Sequence, residues 1–282
     1  MSPLKKIAFQ GEPGANSHEA CRDYFPTYEA APYPTFEDAF EAVKSGVCEL
    51  GMIPVENSIA GRVADVHHLL PSSGLKIIGE KFKPIRFQLM ANKGARLSDI
   101  KTVSSMAIAL GQTRKSLKKL GVATEAVGDT AGAAKALALN PDPTRAAVSP
   151  ALAAEIYGLD ILMRDIEDER HNTTRFLVMT ANPNPPPPPF TAKCITSFVF
   201  RVKNLPAALY KAMGGFATNG VNMTKLESYM EGGAFTATFF YAEVDGRPED
   251  RGLALALDEL AFFSEKIEIL GVFPADPFRE RV

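Results

Sequence analysis

Two short polar clusters stand at the ends of apolar runs, where side chains can reach a ligand. In the first, Leu50 to Val55 runs into Glu56-Asn57-Ser58, so a buried strand delivers a carboxylate, an amide and a hydroxyl to its C-terminal edge. Open α/β sheets bind ligands at such edges. Held between Val55 and Ile59, the Glu56 carboxylate is partly desolvated, which raises its pKa and suits it to give up a proton near neutral pH. The same residue in the first turn of a helix needs only the helix dipole to explain it, and the segment alone leaves both readings open. In the second cluster, His171-Asn172-Thr173-Thr174-Arg175-Phe176, a polar run enters the strand Phe176 to Met179. Thr173 and Thr174 can hydrogen-bond a substrate hydroxyl, and the planar fork of Arg175 suits a carboxylate. A salt bridge from Arg175 to an acidic residue between Asp165 and Glu169 is an equal alternative. His171 reads as a surface residue.

Two further segments carry weaker signals. Gly11-Glu12-Pro13-Gly14-Ala15-Asn16-Ser17-His18 lies between a strand and a helix, so its glycines and backbone amides can cradle an anion, or Asn16 or Ser17 can simply cap the helix. Ser105 and Gln112, seven apart on a helical stretch from Ser105 to Leu120, fall on one face and can meet a ligand together, or act as a capping serine and a solvated glutamine. Cys21, Cys48 and Cys194 are far apart and without metal-ligand spacing, which predicts buried free thiols and no metal site.

The positioning elements follow from the pattern. Short apolar strands at Lys6 to Phe9, Leu50 to Val55, Lys76 to Ile78, Phe87 to Ala91, Val122 to Val127, Ala146 to Ser149 and Arg175 to Thr180 alternate with helical stretches at Ser17 to Tyr24, Phe36 to Ser45, Ala107 to Leu120 and Thr130 to Leu139. Such alternation predicts βαβ units around a largely parallel sheet. Asn182 to Pro189, Asn-Pro-Asn followed by five prolines, predicts a polyproline II spacer; its five prolines span roughly 15 Å. Beyond it the order is strand Ile195 to Val202, helix Leu205 to Asn219, strand Asn222 to Tyr229, strand Ala234 to Val244, helix Glu249 to Phe262 and strand Ile267 to Val272, with a hairpin turn at Glu231-Gly232-Gly233. A βαββαβ order predicts a four-stranded antiparallel sheet with two helices on one face.

The 282 residues suit two domains, and 46% hydrophobic content suffices for ordinary cores. A formal net charge of −2 disfavours nucleic acid and anionic membranes as partners. No apolar run is long enough to span a bilayer, and the start of the chain lacks a signal-peptide pattern, which points to the cytoplasm.

Pro54-Val55-Glu56-Asn57-Ser58, Asp129-Thr130-Ala131-Gly132-Ala133-Ala134, Tyr157-Gly158-Leu159 and Asn172-Thr173-Thr174-Arg175-Phe176, in this order and spacing, resemble prephenate dehydratase. The stretch after the prolines resembles the ACT regulatory domain that monofunctional members carry. The resemblance implies an α/β, two-lobed, periplasmic-binding-protein-like catalytic domain over 1–182, with lobes at roughly 1–80 plus 170–182 and 81–169, a linker over 183–190 and an α+β ACT domain over 191–282. It implies conversion of prephenate to phenylpyruvate in phenylalanine biosynthesis without a cofactor, feedback by L-phenylalanine, and a homodimer or homotetramer.

By motif position, Thr174 is the residue tied to catalysis and Glu56 the candidate proton source, with Asn57, Ser58, Ser105, Gln112, Thr173 and Arg175 holding substrate and Phe176 forming cleft wall or core. The family's histidine after the position of Ser105 is Met106 here. The effector elements of the family correspond to Pro206-Ala207-Ala208-Leu209 and to Glu227-Ser228, the latter followed by Tyr229-Met230 in place of Arg-Pro. Arogenate dehydratase, acting on the transaminated substrate, and a non-catalytic amino-acid-sensing protein are the competing readings.

Overall fold

A computed structural model describes residues 4–230 and 237–280. The described chain separates into two compact units, residues 1–67 with 81–177, and residues 68–80 with 178–282.

The chain opens with β1 (Lys6–Gln10), α1 (Asn16–Tyr24), β2 (Glu29–Tyr33), α2 (Phe36–Lys44), β3 (Leu50–Asn57), β4 (Gly61–Arg62), α3 (Ala64–Leu69) and β5 (Lys76–Pro84). A second set follows: β6 (Gln88–Ala91), β7 (Thr102–Met106), α4 (Ala107–Gln112), α5 (Arg114–Leu120), β8 (Ala123–Val127), α6 (Thr130–Leu139), β9 (Arg145–Ser149), α7 (Ala151–Tyr157) and β10 (Asp160–Met163). Then β11 (Thr173–Thr180) returns to the first sheet, whose order is β2-β1-β3-β11-β5 with β4 against β3. The second sheet runs β10-β6-β9-β7-β8.

β1 pairs parallel with β2 and β3, and β7 with β8 and β9, while β6 runs antiparallel to β9 and β10. The second sheet is therefore mixed, not largely parallel. One consequence matters for function. The parallel strands of each sheet end together, so the turns after β1, β3, β7 and β9 collect on sheet edges.

Two departures from the sequence pattern bear on the site. The expected helix from Ala107 to Leu120 is two helices broken at Thr113, whose fully buried hydroxyl donates to the Ala109 carbonyl at 2.9 Å. A threonine that bonds the preceding turn competes with the regular ladder. Ser105 lies in β7, so it does not share a helical face with Gln112. By contrast, Gly121 ends α5 at φ +69, the left-handed conformation foreseen for a helix terminus.

After the prolines come β12 (Cys194–Val202), α8 (Ala208–Thr218), β13 (Met223–Met230), β14 (Ala237–Asp245), α9 (Arg251–Phe263) and β15 (Ser264–Pro274). Their sheet runs β13-β14-β12-β15, antiparallel throughout, and both helices bury apolar residues in its core around Phe198, Phe200, Phe216 and Leu260. The hairpin turn expected at Glu231-Gly232-Gly233 lies outside the described residues. Arg247 holds the proline run by donating to the carbonyls of Pro188, Pro189 and Ala192. Cys21, Cys48 and Cys194 are free and buried. Among the described residues no helix is long and apolar enough to cross a membrane.

Candidate active site

The apolar run of β3 carries Glu56 and Asn57 to the sheet edge beside the start of β11. There the Asn57 carboxamide is a hub. Its Nδ2 donates to Asn172 Oδ1 at 2.7 Å and Thr174 Oγ1 at 3.0 Å, and more weakly to the Thr173 carbonyl at 3.3 Å. Its Oδ1 accepts from the backbone N–H groups of Ile59 and Ala60 at 3.0 and 2.8 Å, which folds the chain into an Asx turn immediately after the strand. Gln112, at the end of α4, closes a ring of three carboxamides: Asn172 Nδ2 donates to Gln112 Oε1 at 3.1 Å, and Gln112 Nε2 approaches Asn57 Oδ1 at 3.4 Å. Asn172 is fully buried.

Ser58 fixes the segment before β11. It donates from its backbone N–H to the Thr173 carbonyl and from its hydroxyl to the His171 carbonyl, and its hydroxyl accepts from the Thr173 N–H, at 2.9 to 3.0 Å. The Thr173 hydroxyl donates to the His171 carbonyl at 3.1 Å and is buried. Ser58 and Thr173 therefore position Thr174. Strand alternation then turns Thr174 to the half-buried side and Arg175 inward.

Arg175 is 3% exposed, lies over the Phe82 ring and donates to Glu56 Oε1 at 2.9 Å. Its acid is Glu56, not a residue between Asp165 and Glu169. Phe176 is 1% exposed and belongs to the core.

Ser105 is sealed in the second sheet, its hydroxyl donating to the Val148 carbonyl at 2.6 Å, so it does not join Gln112 at the carboxamide ring. Met106 follows as the residue before α4, without a side-chain cap.

The turn after β1 does not form the anion cradle its glycines suggested. Three of its N–H groups are committed, Gly11 to the Tyr33 carbonyl, Gly14 to His18 Nδ1 and Ala15 to the Glu12 carbonyl. Carboxylates stand nearby. Glu12 pairs with Lys135, and Asp129 caps α6 through Gly132 with its other oxygen facing Gly11. Burial is the main force pushing the Asp129 carboxyl above its ordinary range.

Of the effector positions, Ala207 adopts a left-handed φ of +59 immediately before α8. A Cβ in that conformation costs about 1 kcal/mol or more. Pro206, Ala208 and Leu209 flank it; Glu227 and Ser228 lie on the edge strand β13, with Glu227 paired to Lys225.

A sequence model described as Prephenate dehydratase matches residues 7–184. The chain belongs to the prephenate dehydratase family. Members are carbon–oxygen lyases of aromatic amino acid biosynthesis, and the chain has their two-lobed α/β fold. It is 49% identical over 281 residues to a bifunctional N-acyl-homoserine lactone acylase/prephenate dehydratase of Komagataeibacter europaeus, covering all of both chains. It is 37% identical to arogenate dehydratase/prephenate dehydratase 2 of Arabidopsis thaliana, covering 96% of this chain and 73% of the relative. A solved prephenate dehydratase from Arthrobacter aurescens in complex with L-Phe superposes with a TM-score of 0.87 at 29% identity, over 96% of this chain and 90% of that one.

Asn172 was part of the quoted motif but not singled out as a site residue. Its signal was position: a carboxamide directly before two threonines at a strand start. The histidine of the turn is a second such residue. His18 accepts from Gly14 N–H through Nδ1 and stacks on Phe9, and burial followed by the Arg22 charge lowers its pKa from the usual 6.5. A group depressed on folding contributes stability that is present above its unfolded pKa and is lost as pH falls from there through the lower folded value. Stability by chemical denaturation therefore declines as pH falls below the usual histidine value of 6.5, and His18→Gln flattens the decline. An equal decline in the variant would contradict the assignment.

Proposed function

We propose that the chain converts prephenate to phenylpyruvate, with residues 1–182 as catalytic domain, 183–190 as linker and 191–282 as an ACT domain that binds L-phenylalanine. The observation that carries this reading is the bond from Asn57 Nδ2 to Thr174 Oγ1. With an acceptor lone pair occupied, the threonine hydroxyl directs its own proton away from Asn57, toward the half-buried side where a substrate hydroxyl can lie.

The reaction expels the ring carboxylate as carbon dioxide. Its electron pair completes the aromatic ring and the C–O pair leaves with the ring hydroxyl, which departs as water after gaining a proton. The ring carboxylate must stay ionised throughout. Thr174 donates a hydrogen bond to the departing oxygen, strongest as charge builds there in the transition state. A threonine hydroxyl is about as weak an acid as water, so Thr174 keeps its proton and hydrogen-bonds the departing oxygen, while the proton that turns it into water comes from solvent. Glu56 holds Arg175 through their ion pair, and the carboxamide ring orients the substrate and excludes water.

Feedback by L-phenylalanine is supported by the βαββαβ order, by the left-handed turn at Ala207 and by the L-Phe complex of the Arthrobacter aurescens relative. The same ACT resemblance supports a homodimer or homotetramer. Full-length identity with the Komagataeibacter europaeus protein favours, as a second reading, an added acylase activity that hydrolyses the amide of an N-acyl-homoserine lactone.

One incubation series addresses these readings. Prephenate yields phenylpyruvate, L-phenylalanine lowers that rate, and an N-acyl-homoserine lactone releases homoserine lactone; each arm without its product or effect removes the corresponding reading. Thr174→Ala lowers kcat by about 10²- to 10³-fold in a folded protein. Near-normal turnover would remove Thr174 from the mechanism.

A further inference from the structure

In the unit that holds the carboxamide ring, two buried side-chain oxygens have no hydrogen-bond partner among the described residues, Asn16 Oδ1 and Ser149 Oγ. Neither is explained by local structure. Asn16 is the first residue of α1, and the position before it, Ala15, provides no side-chain cap, so the amide is not consumed in capping. Ser149 is fully buried at the end of β9. Its register partner across the sheet is Gln88, whose side-chain amide donates to Asp165 instead. An unsatisfied buried hydroxyl or amide is destabilising, and native chains retain few of them.

The segments next to the two residues meet. A Cβ on Gly14 would lie 2.7 Å from Ala153 Cα, so the turn after β1 presses its backbone onto α7, the helix that Ser149-Pro150 leads into. Tyr157 Oη donates to the Pro13 carbonyl at 2.8 Å, and Leu152 N–H donates to Glu19 at 3.1 Å. The segment that leads into Asn16 and the helix that follows Ser149 are thus fastened together. Asn57 and Thr174 lie on the same edge of the first sheet as the turn of Asn16, because β3 runs parallel to β1.

The electrostatics narrow the ligand group. Around the turn before Asn16 the N–H groups of Gly11, Gly14 and Ala15 are taken, and the carboxylates of Asp129, which faces Gly11, and Glu12 lie nearby. An amide oxygen in such surroundings suits a hydrogen-bond donor, above all an ammonium. A serine hydroxyl suits a carboxylate.

We propose that Asn16 and Ser149 form the subsite for the substrate's three-carbon side chain, Asn16 facing its amino or keto group and Ser149 its carboxylate, so that Asn16 sets the choice between arogenate and prephenate. This rests on the dehydratase reading. Since prephenate and arogenate differ only at the group that Asn16 faces, the two residues have separable signatures.

The test measures kcat/KM for both substrates on each purified protein; their ratio is independent of the active fraction, so partial misfolding does not disturb it. Asn16→Asp keeps the size, tolerates a helix N-terminus and accepts but cannot donate, so the arogenate-to-prephenate ratio rises at least about ten-fold. Ser149→Ala lowers kcat/KM for both substrates by about ten-fold at unchanged ratio, yet unfolds at an equal or higher temperature because an unsatisfied hydroxyl has gone. A ratio within about two-fold of wild type in Asn16→Asp, no arogenate turnover in either protein, or full activity in Ser149→Ala overturns the proposal. So does a Ser149→Ala protein that loses stability and activity together. A wild-type chain inert toward both substrates would instead remove the dehydratase reading itself.

Discussion

Three carboxamides that satisfy one another hold the candidate site together. Asn57 ends β3, Asn172 precedes β11 and Gln112 ends α4, so the ring joins three segments that are far apart in sequence. Its strength lies in what breaking it would leave behind. Removing Asn57 or Gln112 leaves the fully buried Asn172 amide short of a partner, at about 1–3 kcal/mol for an unsatisfied buried group. The geometry of Thr174 depends on this, because its hydroxyl has the Asn57 amide as a donor and its backbone is held through Ser58 and Thr173. Chemistry that needs one well-placed hydroxyl is thereby carried by groups that never titrate.

Charge is arranged around that neutral ring. The pair of Arg175 and Glu56 places a guanidinium, 3% exposed, beside a carboxylate that keeps about a third of its side chain accessible. An ion pair that is half accessible adds little net stability, but it fixes direction, and here it orients Glu56 at the edge where β3 ends. On the turn after β1 the Asp129 and Glu12 carboxylates lie nearby, Glu12 paired with Lys135.

Much of this was legible in the sequence, for a physical reason. Glu56-Asn57-Ser58 and Thr173-Thr174-Arg175 announce themselves because polar residues break continuous apolar strands, and the structure brings those two ends together. The strand β7 was missed because Thr-Val-Ser-Ser lacks an apolar run, and that error put Ser105 on a helix. Edge strand β2 was missed because it contains Pro32, which only an edge tolerates readily. The break at Thr113 depends on one hydroxyl choosing the Ala109 carbonyl, a choice that spacing does not record. Arg175 found Glu56, 119 positions away, and not the acidic run close to it, because pairing across a sheet follows strand order, not proximity along the chain.

The central claim is that the carboxamide ring acts through Thr174, and a double-mutant cycle on kcat tests it most directly. Asn57→Ala alone lowers kcat by about 10²-fold, whereas in a Thr174→Ala background the same change costs less than about three-fold, because the hydroxyl it positions is already absent. Equal losses in the two backgrounds would mean that Asn57 and Thr174 work independently, and would contradict the account.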